Sequence, residues 1–172
     1  HLCDRRQRQM CIRDRGRTLP GFIGDIGYAQ SNRERYEGFC QALTDAGKKV
    51  DSSLCLTTPL GIDTYREEID TFLSSLSRMP DAFVCASDYV ACILMQLLEK
   101  RGLRVPEDVA VSGFDNNTED LLAEHLTTVQ VFNEELGARL ALQILYRIKY
   151  PNTPHEITYL GTNVLYRDST GD

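Results

Sequence analysis

The sequence lacks the long apolar runs, the basic excess and the targeting signal that would place it at a membrane or on nucleic acid. No apolar segment approaches the roughly 20 residues of a membrane-spanning helix. The formal net charge of −6 argues against a nucleic-acid surface, which is normally basic. The N-terminus shows no apolar core of a signal peptide. We therefore expect a cytoplasmic globular domain, with 172 residues available to build one hydrophobic core.

Motifs for metal binding, disulfide formation and catalysis are also missing. The six cysteines include no C-x-x-C pair and no cysteine–histidine spacing typical of zinc, which argues against a metal site or a disulfide framework. Cys85 and Cys92 fall in apolar segments and are predicted to be small buried thiols. Neither a G-x-S-x-G elbow nor a G-x-G-x-x-G loop after a strand occurs. The sequence thus predicts no catalytic residue, no cofactor and no enzyme.

The most informative stretch is Pro80–Asn117, which predicts a strand, a helix and a second strand. Two apolar runs, Ala82–Cys85 and Val109–Ser112, flank a helical segment at Tyr89–Arg101. Such a unit requires parallel strands joined by a right-handed crossover. The sequence therefore predicts an α/β fold, a parallel sheet with flanking helices.

Polar side chains follow both strands of this unit at the point where each strand ends. Ser87 and Asp88 follow the first strand, and Asp115 and Asn116 follow the second. In open parallel sheets, ligands bind in the crevice outside the carboxyl ends of the strands. These residues are therefore candidates for ligand contact. Ser87 and Asp88 are also good helix N-caps, and a cap is the structural alternative for both.

The first half of the chain predicts two further helices and one more strand. Ser31 and Glu34 have the capping-box spacing, which predicts a helix start at that point. The segment Val50–Thr58 reads as a strand and a turn whose end, including Thr57, should face the same crevice. Asp63 is predicted to cap a helix that runs from Thr64 to Leu76.

Several of these segments resemble the effector-binding domain of LacI/GalR-type transcription regulators, which share their fold with periplasmic sugar-binding proteins. The resemblance is carried by the strings PDAFVCASD and GLRVPEDVAVSGFDN, by Leu126–Val129 and by the ending Tyr166–Thr170. It runs from about Phe22 to the C-terminus. It implies a periplasmic-binding-protein-like fold, of which this chain would be mostly the C-terminal lobe.

The resemblance also implies roles for individual residues. Its pattern R-x-x-G-F favours Arg35 over its neighbour Arg33 as the ligand arginine. A guanidinium can fork onto two adjacent hydroxyls or a carboxylate. Asp115 would accept hydrogen bonds from a sugar or a purine-type ligand. In relatives an aromatic residue near the segment Val50–Thr58 often covers the ligand, whereas here none follows that segment before Tyr65. His125 stands where relatives commonly carry proline. The expected ligand-binding residues are Arg35, Asp115, Ser87, Asp88, Thr57 and Asn116.

The chain divides into four expected segments. Asp4–Arg15 reads as a translated transposase-based sequencing adapter, so residues 1–15 are expected to be an artefact outside the domain. By resemblance, residues 16–128 form the C-terminal lobe, residues 129–158 a crossover strand, helix and strand of the N-terminal lobe, and residues 159–172 a terminal strand and tail.

The helix predicted at Glu134–Tyr150 raises a packing problem. In the family it packs on the N-terminal lobe, most of which this chain would lack. Its apolar stripe is therefore expected to be exposed, to dock elsewhere or to destabilise the chain. Short strands are predicted after it, at Ile157–Leu160 and Asn163–Tyr166.

The resemblance implies the sensing domain of a bacterial LacI/GalR-type transcription regulator. Its effector would be a small polar molecule, with a sugar as the leading expectation. A homodimer through the apolar helix Tyr89–Arg101 is expected, and operator DNA would be bound only by a helix-turn-helix head that this sequence does not contain. The alternative is a solute-binding protein of a transport system, which has the same fold. A signal peptide upstream would distinguish the alternative from the regulator.

Overall fold

A four-stranded parallel sheet forms the centre of the molecule. The computed structural model describes residues 17–61, 63–116 and 121–171, so the adapter-like segment 1–15 and Asn117 lie outside the described residues. The strand order is β2–β1–β3–β4. The strands are β1 Pro20–Ile23, β2 Cys55–Leu56, β3 Ala82–Cys85 and β4 Ala110–Ser112. The predicted α/β fold with a parallel sheet is confirmed.

Three helices connect these strands. They are α1 Gln30–Asp45, α2 Tyr65–Ser75 and α3 Asp88–Lys100. The unit of β3, α3 and β4 agrees with the predicted strand–helix–strand unit to within one residue at each boundary. A glycine follows the end of α1 and of α3: Gly47 and Gly102 have φ values of 70° and 72°, which glycine adopts without strain.

Two predicted helix caps are wrong. The residue preceding α1 is Ala29, which makes no side-chain cap, so the helix does not begin with a capping box at Ser31. Glu34 instead accepts a hydrogen bond from the side chain of Gln30, one turn earlier. Asp63 does not cap α2, because the helix begins one residue later than predicted and follows Thr64, whose hydroxyl bonds to the Glu68 carboxylate.

Hydrophobic side chains cover both faces of the sheet, as expected when helices lie on either side of parallel strands. Neighbouring strand residues point to opposite faces, so Ile23 joins the larger cluster while Phe22 joins the smaller one. The larger cluster is centred on α3, with Leu94 and Leu98 completely buried. The smaller cluster packs α1 against the other face through Phe39.

A second, smaller sheet follows the first. Strand β5 Thr128–Gln130 pairs in antiparallel orientation with β6 Asn163–Leu165. Two isolated parallel bridges, Ser112 with Thr127 and Asp115 with Gln130, bring β5 beside the chain that leaves β4. The strand predicted at Ile157–Leu160 is wrong: this segment has no strand structure, and Ile157 is 77% exposed, with no ladder partner among the described residues.

Between β5 and β6 lies α4 Asn133–Lys149, none of whose residues is buried. We call its predicted stripe, Leu136, Leu140, Ile144 and Ile148, the apolar face of α4. Leu140 is 60% exposed and Ile148 is 72% exposed. Of the three outcomes expected for this helix, the structure shows exposure. The expected segment boundaries at residues 128 and 158 stay predictions.

Candidate functional site

The candidate site lies at the carboxyl ends of the central strands. Arg35 of α1 reaches across this edge and contacts the chain after β3 and after β4. Its Nη1 donates to the carbonyl of Ala86 at 2.5 Å, and its Nη2 lies 3.4 Å from Oδ1 of Asp115. The guanidinium carbon lies 3.7 Å above the centre of the Phe114 ring. We call Arg35, Ala86, Phe114 and Asp115 the strand-end site.

The arginine of this site is held in one orientation. Its side chain is only 15% exposed, and Asn32 of the same helix accepts a further hydrogen bond from Nη1 at 3.3 Å. A cation above an aromatic ring is attracted by the negative face of the ring. The ring of Phe114 and the carbonyl of Ala86 thus fix the planar donor group beside the Asp115 carboxylate.

The backbone at Asp115 and Asn116 is unusual. Both residues have positive φ, 111° and 54°, although neither is glycine. Such conformations cost roughly 1–3 kcal/mol each and persist only where the surroundings hold them. Here the Asp115 amide donates to the Val129 carbonyl at 3.0 Å, and the Asn116 amide donates to Oγ1 of Thr128 at 3.3 Å. Strand β5 therefore holds the turn that presents Asp115.

The protonation of Asp115 is shifted by its surroundings. Burial raises the pKa of this carboxyl above the ordinary aspartate value, the Arg35 guanidinium opposes the rise, and the negative charge of Asp88 adds to it. The effect of burial outweighs that of Arg35. Since the side chain is still 42% exposed, a small molecule at the edge of the sheet can reach it.

Asp88 does not face the crevice as a ligand residue would. Its side chain is 2% exposed, and Oδ1 accepts a hydrogen bond from Oγ1 of Thr128 at 2.6 Å. Its amide donates to the Phe114 carbonyl at 2.8 Å. The expectation that Asp88 contacts a ligand is corrected: its carboxylate joins α3 to β5, and its amide joins α3 to the chain that follows β4.

Three other candidate residues lie at the same edge with different partners. Ser87 is the N-cap of α3, and its hydroxyl accepts from the Val90 amide at 3.4 Å, so the cap alternative applies. A hydroxyl in that state can still donate its proton to a ligand. Thr57 follows β2, and its carbonyl accepts from the amide of Ile26. Asn116 accepts through Oδ1 from Nη2 of Arg167 at 2.8 Å.

Sequence reasoning missed Asp25, Phe114 and Arg167. Asp25 follows β1 and is 8% exposed, and its carboxylate accepts from the amides of Gly27, Tyr28 and Leu60. It thereby fixes two loops of the strand-end edge. The signal for Asp25 was present, because it is a polar residue within a few positions of the end of an apolar strand, as Asp115 is.

An aromatic pair lies at the first turns of α2 and α3. The rings of Tyr65 and Tyr89 meet edge to face, with centres 5.7 Å apart. Burial raises the pKa of Tyr65, and the nearby charge of Asp25 adds to the rise. A separate cleft of about 470 Å³ between β2 and α2 includes no predicted site residue, although it extends to Thr58.

The described residues contain neither a group that could hold a metal ion nor a helix that could span a membrane. No group of three or more His, Cys, Asp or Glu side chains there could hold a metal ion. Among the same residues, no helix combines the length and the apolarity needed to span a bilayer. Cys85 and Cys92 are buried, as predicted, and burial raises the pKa of the Cys85 thiol.

The chain matches a known domain family over most of its length. The model of the periplasmic binding protein-like domain matches residues 12–170. The chain belongs to the periplasmic binding protein-like domain family.

Relatives of this domain are transcription regulators. The chain is 35% identical over 117 residues to the HTH-type transcriptional regulator DegA of Bacillus subtilis, covering 67% of this chain and 34% of DegA. It is 34% identical over 142 residues to the HTH-type transcriptional regulator CelR of Thermobifida fusca, covering 79% of this chain and 40% of CelR. The resemblance to the effector-binding domain of LacI-type regulators is confirmed.

A solved structure gives the same result for the fold. The complex of the transcriptional regulator CelR with cellobiose superposes with a TM-score of 0.85 at 28% identity, over 98% of this chain and 51% of that one. The chain spans between about a third and a half of the length of the curated relatives it matches.

Proposed function

We propose that this periplasmic binding protein-like domain senses a small sugar for a LacI-type transcription regulator. The observation that carries the proposal is the pairing of Arg35 with Asp115 at the carboxyl edge of the sheet. Together they offer a fixed fork of donors and a partly exposed carboxylate acceptor, 3.4 Å apart. A pair of neighbouring sugar hydroxyls can accept from the first and donate to the second.

A sugar is favoured over other polar effectors by charge and by relatives. The site holds one cation and one anion, so a neutral molecule with both donors and acceptors leaves neither charge unmatched. CelR, which this chain resembles, has been solved with cellobiose. Ser87, Thr57 and Asn116 add donors and acceptors around the strand-end site. No catalytic step is proposed for any of them, and no cofactor is involved.

In the intact protein, the rest of the N-terminal lobe would cover two surfaces. One is the strand-end site, so the effector would be enclosed between lobes. The other is the apolar face of α4, which has no partner among the described residues. Closure of the lobes would favour one arrangement of a homodimer, and thereby one spacing of two DNA-binding heads on an operator. Such a regulator would act in the cytoplasm.

The regulator is favoured over a transport protein because the relatives quoted above are HTH-type regulators. The homodimer is argued from the family resemblance alone. The apolar residues of α3 are expected from the sequence to form a dimer surface, but most of them pack in the core of this chain, with Val90, Ile93 and Leu97 buried. Tyr89, 58% exposed, stays available on that helix for a partner.

Calorimetric titration of the full chain with cellobiose, glucose, galactose, ribose and maltose tests the proposal. We expect one of these sugars to bind with a dissociation constant on the order of 1 mM, because this chain provides one side of the cleft. Arg35→Gln should weaken that binding by about tenfold or more, since it removes charge-assisted hydrogen bonds.

Arg33→Gln is the matched control. Arg33 lies two residues earlier on the exposed side of the same helix turn, so its loss should leave the affinity unchanged. Circular dichroism of each variant separates a binding defect from unfolding. Equal affinities of the Arg35 and Arg33 variants would refute the role of Arg35, and the absence of binding for all five sugars would refute a sugar effector.

A further inference from the structure

The chain's last described segment is connected to the candidate site by an unbroken series of hydrogen bonds. We call Arg167, Asp168, Ser169 and Thr170 the C-terminal clamp. Ser169 and Thr170 are buried, at 2% and 6% exposure. Ser169 bridges two strands, because its hydroxyl accepts from the Thr127 amide at 2.8 Å and donates to the Val111 carbonyl at 2.7 Å.

Thr127 is hydrogen-bonded to three residues of the clamp, Arg167, Ser169 and Thr170. Its Oγ1 accepts from the Arg167 amide at 2.9 Å, donates to the Arg167 carbonyl at 3.0 Å and lies 2.7 Å from Oγ1 of Thr170. The carbonyl of Thr127 accepts from the amide of Gly113, directly after β4. The clamp thus fixes the start of β5 against the chain that leads to Asp115.

The side chain of Arg167 makes the direct link. Its Nη1 donates to the carbonyls of Ala123 and Leu126, both at 2.9 Å, and its Nη2 donates to Oδ1 of Asn116 at 2.8 Å. A guanidinium that spans three acceptors in one plane fixes their separation, which a flexible ammonium cannot do. Asn116 is the second of the two residues with positive φ, so this bond acts on the turn that presents Asp115.

The geometry points to Arg167 as a positioning residue for the strand-end site. It acts through Asn116: it holds the left-handed turn at Asp115 and Asn116 in the conformation that places the Asp115 carboxylate beside Arg35. This inference rests on the proposed function, because it assigns a further residue to the proposed sugar site. The hydrogen bonds that carry it are independent of which ligand binds.

Amide hydrogen exchange of the full chain, measured by NMR without any sugar, tests the inference. Arg167→Lys keeps the charge and removes the fork. We expect exchange of the Asp115 and Asn116 amides to accelerate by about tenfold, as the loss of a charge-assisted bond to a locally opening turn implies. The amides of Leu94 and Leu98 in the core of α3 should exchange at an unchanged rate.

A second variant approaches the same bond from the other side. Asn116→Gly removes the acceptor, while glycine accepts the positive φ without strain and leaves the other bonds of Arg167 in place. It should accelerate the same amides. The double variant should show no further acceleration than the larger single effect, because both changes remove one interaction.

Asp168→Asn is the control within the clamp. Asp168 pairs with His125 at 2.7 Å, but both side chains are well exposed and neither bonds to Asn116. It should leave the exchange at Asp115 and Asn116 unchanged. Uniform acceleration that includes α3 would overturn the inference in favour of general stabilisation, and so would unchanged exchange in Asn116→Gly even if Arg167→Lys does not fold.

The sugar titration then separates this inference from the proposed function. With a binding sugar, Arg167→Lys should weaken the affinity several-fold, while Asp168→Asn should not. If no sugar binds but the exchange effect is found, the proposed function fails and the positioning by Arg167 stands. If a sugar binds and the exchange effect is absent, the function stands and the positioning role is refuted.

Discussion

The carboxylate of Asp115 lies between two opposing electrostatic influences. Burial raises its pKa, and Arg35, 3.4 Å away, opposes that rise without cancelling it. The raised pKa means that the folded chain disfavours the charged form relative to the unfolded chain. The resulting destabilisation is present at neutral pH and is relieved as the pH falls through the pKa of the folded state.

This sign predicts a pH dependence of sugar binding. The ionised carboxylate accepts hydrogen bonds from sugar hydroxyls, so the affinity should fall as the pH is lowered through the raised pKa of Asp115. Asp115→Asn should weaken binding by about tenfold at neutral pH, because it replaces a charged acceptor with a neutral one. It should also remove the pH dependence. Titrations between about pH 4 and pH 8 measure both effects.

Thermal unfolding of the same variant provides an independent check. Asparagine tolerates positive φ, so the turn should form in Asp115→Asn. At neutral pH the variant should melt at the same temperature or higher, since the penalty for burying the charge is gone, and this gain should vanish in acid. A lower melting temperature at neutral pH would contradict the assigned balance of burial and Arg35.

At this scale the sequence predicts residue positions better than residue partners. It places Ser87, Asp115 and Asn116 at the strand ends, where the structure has them. It could not distinguish Asp115, partly exposed, from Asp88, which is buried against Thr128, because that contact joins residues 40 positions apart. His125 stands where relatives commonly carry proline, and the sequence does not indicate that this histidine pairs with Asp168.

At the scale of elements, α3 and α4 both carry apolar residues at helical spacing but have opposite environments. Eight of the residues of α3 are buried, whereas α4 has no buried residue. Propensity and periodicity predict that both segments are helices, and both are. They cannot predict which surface a helix packs against, since that depends on chain elsewhere. The wrong prediction of a strand at Ile157–Leu160 has the same cause, because a strand forms only where a neighbouring strand pairs with it.

The exposure of α4 predicts the effect of substitutions on its apolar face. Leu140→Gln combined with Ile148→Gln should change the free energy of unfolding by no more than about 0.5 kcal/mol, the value typical of surface sites. Leu94→Ala in α3 should cost about 2–5 kcal/mol, because it leaves a cavity in the core. Urea unfolding followed by circular dichroism compares the two.

The same α4 variant should reduce self-association and dye binding at exposed apolar surface. Size-exclusion chromatography with light scattering and the fluorescence of a hydrophobic dye measure these properties. If Leu140→Gln with Ile148→Gln destabilised the chain as much as Leu94→Ala does, α4 would be packed in solution, and the apolar face would not be available to another lobe.

At the scale of the whole molecule, the polar side chains of the candidate site lie along one edge of the central sheet. After the carboxyl ends of β3 and β4, Ala86 and Asp115 contact Arg35. After the end of β1, Asp25 fixes two loops of the same edge. Parallel strands bring their carboxyl ends to one edge, which is why the fold class and the position of Ser87 and Asp115 at that edge could both be predicted from Pro80–Asn117. The sequence could not show the role of the chain's end, whose contacts with Thr127 span about 40 residues.

Two-dimensional amide spectra of the full ¹⁵N-labelled chain, recorded as the best-binding of the five sugars is added, locate the bound sugar. If the sugar occupies the strand-end site, we expect saturable shifts at Arg35, Ser87, Phe114, Asp115 and Asn116, with the amides of α4 unmoved. Saturable shifts confined to other surfaces, or no shifts with any of the sugars, would rule out sugar binding at this site.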